Sequence, residues 1–306
     1  MPDARAERVI GAAEAAALVR DGMVVGLSGF SYQNPPMALV RAIVRRRVRD
    51  LTVVSGPTSG LETDLLIGAG CVRRVVTAGV AFERILAIAP AFRRAAEQGA
   101  IEVWECDECL WHLALKAGAW SMPHMLWPGA VGSSIPELNP DIVEVEEGGR
   151  RYLRVPPIRP DIVLLHAAEA DAYGNVRLAR EAYLGRSFSE RALALACRGP
   201  VVASVERIVP NEDVVEDPAR TIVRGALVVE IPWGAHPGGA SGRYVPDLPH
   251  YREYAGAGEA RRQGDAAPYQ RYLERFVYGI DDHEDYVRTI GRDRLEALRL
   301  RAAAHA

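Results

Sequence analysis

Between Ala12 and Pro128 the sequence alternates helix-like and strand-like stretches, and this alternation constrains the fold more than any single residue does. Apolar residues recur at helical spacing from Ala12 to Arg20, Met37 to Arg47, Glu62 to Ile67, Phe82 to Gln98 and Asp107 to Ala117. Between them lie short apolar runs from Met23 to Leu27, Leu51 to Val54, Val72 to Val76 and Ile101 to Trp104. Strands separated by helices predict right-handed crossovers and a largely parallel open sheet covered on both faces. Ligands of such sheets bind beyond the carboxyl ends of the strands. The loops after Leu27, Val54, Val76 and Trp104 are therefore expected on one rim.

The later sequence is less regular. Gly148 and Gly149 between charged flanks predict a hairpin that joins Ile142 to Val145 with Tyr152 to Val155. Further strands are expected at Ile162 to Leu165, Val201 to Val205 and Leu227 to Ile231, with a turn at Gly174-Asn175. From Pro246 the chain turns polar and helical, at Tyr269 to Tyr278, His283 to Ile290 and Arg292 to Ala304. These segments read as an extension, residues 251–306, packed on a domain of residues 1–250, because their apolar faces are too thin for a core of their own.

With 306 residues, 49% of them hydrophobic and 25% charged, the chain is long enough for one large or two small globular domains. A net charge of -3 and the lack of a basic cluster interleaved with aromatics argue against nucleic acid as a partner. No apolar run approaches membrane-spanning length, and the first residues have no apolar stretch of the secretory type, so a cytoplasmic protein without a membrane partner is expected. Four cysteines, at 71, 106, 109 and 197, are too scattered for a disulfide framework.

The first strand runs into Ser28-Gly29-Phe30, and Pro35-Pro36 stiffen the loop before the next helical pattern. Without a Cβ, Gly29 lets the backbone lie against a ligand. A strand, a glycine turn and a helix start suit a carbonyl or a phosphate, although an ordinary strand-to-helix turn has the same look. The segment resembles the glycine signature of family I CoA-transferase α subunits, which Asp21, Gly22, Gly29, Phe30 and Pro36 match. Gly26 stands among three apolar positions of that signature, Ser28 replaces the first of its paired glycines, and Asn34 replaces its later glycine. Asparagine tolerates left-handed backbone, so the last change is mild.

The resemblance continues through residues 50–57, 67–70, 160–175 and 232–237, in the order of the family's glutaconate branch, and in the tail from Asp281 to Tyr286. Glu105-Cys-Asp-Glu and residues 204–209 are closer to a sister branch, the α subunits of steroid-degrading acyl-CoA hydrolases. It implies a three-layer αβα fold, a CoA thioester as substrate with no permanently bound cofactor, and a partner β subunit in a heterodimer or heterotetramer. The function implied is transfer of CoA between an acyl-CoA and a carboxylate. The sister branch implies hydrolytic opening of a CoA-linked ring, and a third reading is a non-catalytic chain that completes the β subunit's pocket.

Glu105 is the candidate catalytic acid. It follows a strand directly and so projects from the carboxyl rim, and burial beside Trp104 and Trp111 would raise its pKa. The competing reading is a helix-start acid like Asp107 and Glu108. By the resemblance Glu105 is catalytic in the hydrolase branch and supporting in the transferase branch, where the nucleophilic glutamate sits on the partner. Ser28, Gly29, Phe30 and Asn34 are assigned to the oxyanion and acyl-CoA, and Glu105 is expected to share their cleft. Gly132 and Ser133, in the glycine loop 129–134, and Gly234 and His236, in the Gly-Ala-His-Pro that the family also carries, are assigned to the substrate pocket. His166 reads as a core histidine, Cys106 and Cys109, with two carboxylates between them, as packed thiols, and no metal site is expected. No Gly-Lys-Ser supports a P-loop, and Ser204 lacks the Gly-x-Ser-x-Gly setting of a serine hydrolase.

Overall fold

The computed structural model describes residues 6–179 and 189–300. The strands are β1 (Val24–Leu27), β2 (Leu51–Ser55), β3 (Val72–Val76), β4 (Glu102–Trp104), β5 (Met125–Trp127), β6 (Val143–Glu147), β7 (Arg150–Val155), β8 (Ile162–Ala170), β9 (Val176–Arg177), β10 (Val201–Ile208), β11 (Thr221–Val223) and β12 (Leu227–Glu230). The first six helices are α1 (Ala12–Ala17), α2 (Met37–Arg45), α3 (Leu61–Gly68), α4 (Pro90–Glu97), α5 (Glu108–Ala119) and α6 (Ile135–Leu138). They are followed by α7 (Glu190–Ala196), α8 (Asn211–Glu216), α9 (Leu248–Arg262), α10 (Ala267–Leu273), α11 (His283–Ile290) and α12 (Arg292–Leu298).

Seven strands run parallel in the order β12-β10-β8-β1-β2-β3-β4. Strand β9 pairs antiparallel with Glu169 and Ala170 at the end of β8, and β11 pairs with β9. A separate antiparallel sheet has the order β5-β7-β6, and its β6–β7 hairpin turns at Gly148-Gly149, both at positive φ, as the glycine pair predicts. From β1 the chain builds outward through β2, β3 and β4. It later builds the other way from β8, so the strand order reverses between β1 and β8, and such a reversal opens a crevice at the carboxyl ends.

The sheet separates two cores, and alternate residues feed them. Val25, Leu27, Val53 and Leu164 enter the first, with α2, α3, α4 and α9 to α12. Val24, Val54, Val163 and Leu165 face the second, with α5, α7 and the small sheet. Helices α9, α10 and α11 bring Tyr251, Tyr254, Tyr269, Tyr272 and Tyr286 into the first core, Phe276 joins them from the π-helical turn after α10, and α9 runs continuously across position 250. Among the described residues no helix is long and apolar enough to cross a membrane.

One expected helix is shorter than its periodicity predicts. Of Phe82 to Gln98 only Pro90–Glu97 is helical, because the residue before a proline is pushed toward extended backbone, and Ala89 adopts φ -65, ψ 141. Phe82 instead turns back to bridge Leu86 and packs edge-on against Tyr251 and Tyr254.

Candidate active site

The reversal of strand order falls at the Ser28-Gly29-Phe30 turn. Ser28 is fully buried. Its N–H donates to the Leu164 carbonyl at 3.0 Å, and its Oγ accepts from the His166 N–H at 3.3 Å and reaches the Asn34 carbonyl at 3.4 Å. The Phe30 N–H is committed to the Gln33 carbonyl. The Asn34 N–H is likewise committed, to the Gly239 carbonyl, so of the four residues assigned to the oxyanion and acyl-CoA only Gly29 has an N–H that lacks an acceptor among the described residues, and the expectation narrows to one donor. Gly29 takes φ +127, which side-chain-bearing residues rarely adopt. The next corner presses against it: a Cβ on Gly56 would lie 2.5 Å from the Gly29 carbonyl oxygen.

Asn34 holds the far side of the loop at φ +52. Its N–H donates to the Gly239 carbonyl, its Nδ2 to Ser241 Oγ at 3.1 Å, and its Oδ1 accepts from the Ser241 N–H at 2.9 Å. The asparagine takes left-handed backbone of the kind glycine favours and clamps residues 239–241. Beside the turn opens a cavity of about 480 Å³, lined by Phe30, Ser31, Tyr32 and Gln33 and, opposite, by Glu83, Arg84, Val245, Pro246 and Leu248.

Beneath the turn lies a buried polar network. His166 Nδ1 is 3.0 Å from Ser204 Oγ, and its Nε2 is 3.0 Å from Glu206 Oε1. Ser, His and Glu thus stand in relay order, but Ser204 is fully buried and donates to the Leu165 carbonyl, so no substrate reaches it. Burial opposes the Glu206 charge, and bonds from His166, the Trp233 N–H and the Tyr244 hydroxyl outweigh it and hold the carboxyl below its usual range. Gly234 lies against the His166 ring, where a Cβ would come within 2.9 Å.

His236 is also fully buried, with Nδ1 2.8 Å from the Tyr286 hydroxyl and Nε2 3.2 Å from Asp247. Burial lowers its pKa against the pull of Asp247. It therefore fastens the loop after β12 to α9 and α11. Gly132 and Ser133 are exposed on the opposite face, beside the second core, and the Gly132 N–H meets Glu144 at 3.3 Å. The structure brings Ser28, Gly29, Phe30, Asn34 and Gly234 to one corner, buries His236 behind it and leaves Gly132 and Ser133 elsewhere.

Glu105 follows β4, the sheet's edge strand. It shares the carboxyl rim with Gly29 but is three strand spacings away, about 14 Å, and no β4 residue lines the cavity beside the turn. The expected common cleft is thus not formed by these two corners of the chain. Nor is Glu105 desolvated. Its side chain is exposed, while Trp104 and Trp111 bury their rings and donate to Asp141 and to the Val76 carbonyl. The helix-start role belongs to Asp107, whose Oδ1 accepts from the Leu110 N–H at 2.7 Å. The Glu105 carbonyl, in turn, accepts from Asn139 Nδ2 at 2.8 Å. Burial and two flanking carboxylates push the Cys106 thiol far up, whereas Cys109 is exposed rather than packed; neither is in a disulfide.

Among the described residues, the carboxyls that burial pushes upward are Glu62 and Asp64, which sequence reasoning missed. Glu62 and Asp64 begin α3, every residue of which is buried. Burial raises Glu62 to about 7, against bonds to its Oε1 from the Gly60 N–H and the Ser59 hydroxyl. It raises Asp64 to about 6, against donors Phe92 N–H, Tyr254 OH and Ala91 N–H. The available signal was the apolar run Leu65-Leu66-Ile67 directly after these acids, which leaves the helix no solvent face.

A family model described as Coenzyme A transferase matches residues 9–231. The "Cholesterol ring-cleaving hydrolase IpdA subunit" of Mycobacterium tuberculosis is 32% identical over 295 residues, covering 92% of this chain and 97% of that one. One of the subunits of glutaconate CoA-transferase from Acidaminococcus fermentans is 25% identical over 303 residues, covering 92% and 91%. The solved structure of glutaconate coenzyme A-transferase from that organism has the same fold, with a TM-score of 0.87, 24% identity and 96% of each chain covered. An uncharacterised Archaeoglobus fulgidus protein is 30% identical over 303 residues; 96% of this chain is covered, and it spans 65% of that protein's length.

Proposed function

Because the chain belongs to the coenzyme A transferase family, we propose that it is the α-type subunit of a two-subunit enzyme that moves CoA between an acyl-CoA and a carboxylate. The observation that carries this reading is the Gly29 N–H, unpaired among the described residues, at the reversal of strand order. A glutamate carboxylate, supplied by the partner, attacks the thioester carbonyl, and the tetrahedral oxyanion that forms needs a preset donor. Collapse of that intermediate leaves an acyl-glutamyl anhydride and CoA thiolate. The thiolate attacks the glutamyl carbonyl of the anhydride and releases the acyl carboxylate, and an acceptor carboxylate then exchanges through the same steps in reverse. Losing one oxyanion donor typically costs about 3 kcal/mol of barrier. The buried bonds of Ser28 and Asn34 hold the turn rigid, so its donor needs no reorganisation.

A second reading, hydrolytic cleavage of a CoA-linked ring, is favoured by the exposed Glu105 and by the 32% identical ring-cleaving relative. Here the Glu105 carboxylate takes a proton from water or substrate, and no glutamyl-CoA thioester forms. Borohydride added to the assembled enzyme and acyl-CoA separates the two. Reductive trapping at a glutamate supports transfer; product without trapping supports hydrolysis; absence of acyl-CoA turnover and of trapping overturns both.

A further inference from the structure

At the end of β8 one carboxylate faces four guanidinium groups. Glu169, 4% exposed in its side chain, lies 2.7 Å from Arg177 Nε and 2.6 Å from Arg207 Nη2, with Arg220 and Arg243 also in ion-pair range. The four arginines play two parts. Arg177 and Arg220 are nearly buried and also donate to the carbonyls of Asp213 and Leu178, so they are structural. Arg207 and Arg243 are 54% and 29% exposed, and Glu169 is their acceptor among the described residues.

The outer pair shares a single oxygen, Oε1, so their Nη2 atoms are no more than about 5.1 Å apart. Two cations so close repel each other, and the one carboxylate between them already carries four partners. The Arg243 Nε is buried with no acceptor. The neighbouring acids are engaged elsewhere: Asp171 accepts from Asn175 and Asn211, and Glu230 from the Ile208 N–H. Four guanidiniums thus share one carboxylate, and the two exposed ones, Arg207 and Arg243, face outward at this corner.

The corner lies on the same rim as the turn. Arg207 stands opposite Glu169 in the β10–β8 register, five residues along β8 from Leu164, whose carbonyl Ser28 holds, and Arg243 lies two residues from Ser241, which Asn34 clamps. We propose that Arg207 and Arg243 form an anion subsite that takes a phosphate group of CoA while the thioester lies toward Gly29. This rests on the CoA-thioester reading above. Planar guanidiniums that offer several N–H groups suit phosphate oxygens, and such contacts are salt-sensitive.

Calorimetric titration of the full chain with CoA, inorganic pyrophosphate and glutarate tests it. CoA and pyrophosphate are expected to bind more tightly than glutarate and more weakly as salt rises. Arg207→Gln and Arg243→Gln are each expected to weaken them at least tenfold, with Arg207→Lys retaining most of the affinity. Unchanged circular dichroism checks that the variants fold. CoA binding that both glutamine variants leave intact overturns the subsite and leaves the CoA reading standing. Arginine-dependent binding of pyrophosphate or glutarate without any binding of CoA overturns the assignment to CoA. No binding of CoA, pyrophosphate or glutarate to the wild-type chain overturns the subsite outright.

Discussion

The corners after β2 and β4 begin their crossovers with similar chemistry and end in opposite states. Leu61-Glu62-Thr63-Asp64 and Glu105-Cys106-Asp107-Glu108 both put acids at a helix start on the carboxyl rim. In the first, α4 and α9 close over the acids, and burial raises both carboxyls. In the second, the strand is the last of the sheet and Glu105 stays in solvent. What packs over an acid decides its proton affinity, and local sequence does not carry that information. The buried corner holds the fold, and the open one is free to meet a substrate or a partner chain.

Three substitutions can break or sharpen this contrast. The largest effect is expected of Glu105→Gln, which on the hydrolytic reading should lower turnover of the assembled enzyme by about 10² to 10⁴ and on either reading should leave the urea midpoint almost unmoved. Full activity in that variant would remove Glu105 from the chemistry, and a lowered midpoint would make the open corner structural after all. Next is Asp64→Ala. It strips the acceptor from Phe92 N–H, Ala91 N–H and the Tyr254 hydroxyl inside the core, and should cost about 3 kcal/mol in urea unfolding. A loss well under 1 kcal/mol would show that this corner is less closed than its burial implies.

The smallest effect is one of pH. Glu62 rises from an ordinary 4.5 to about 7 on folding, so its contribution to stability is complete below pH 4.5 and is lost as pH climbs through 7. Asp64, raised to about 6, acts in the same sense over a lower window. Stability should therefore fall between pH 5 and 8, and Glu62→Gln should remove about 2 kcal/mol of that fall. Unfolding curves at the two pH values check it. A variant with the wild-type slope would assign the penalty to another group.

Much of the architecture was legible because its signals are local. Alternating segments declared the parallel sheet, and the glycine pair at 148–149 declared the hairpin. Pro90 was equally legible as a helix start, but helical spacing upstream of it masked the break. The candidate site was readable only where backbone geometry is local, at Gly29 and Asn34. Strand order is not local: nothing near Glu105 says that β4 ends the sheet, and nothing near Glu62 says that a tyrosine-rich helix nearly two hundred residues later covers it. His236 shows the same limit, since its partners Asp247 and Tyr286 arrive from two later elements.

The Asn139 amide that grips the Glu105 carbonyl has a mechanical consequence. Asn139 and Asp141 stand at the root of the β6–β7 ribbon, and Asp141 also accepts from the Trp104 indole and from Arg74, so the ribbon is bolted to the very strand that presents the acid. Its far end, Glu147 to Arg151, stands out in water. Whatever grasps that tip holds a lever arm, and its torque is delivered to the main chain of Glu105.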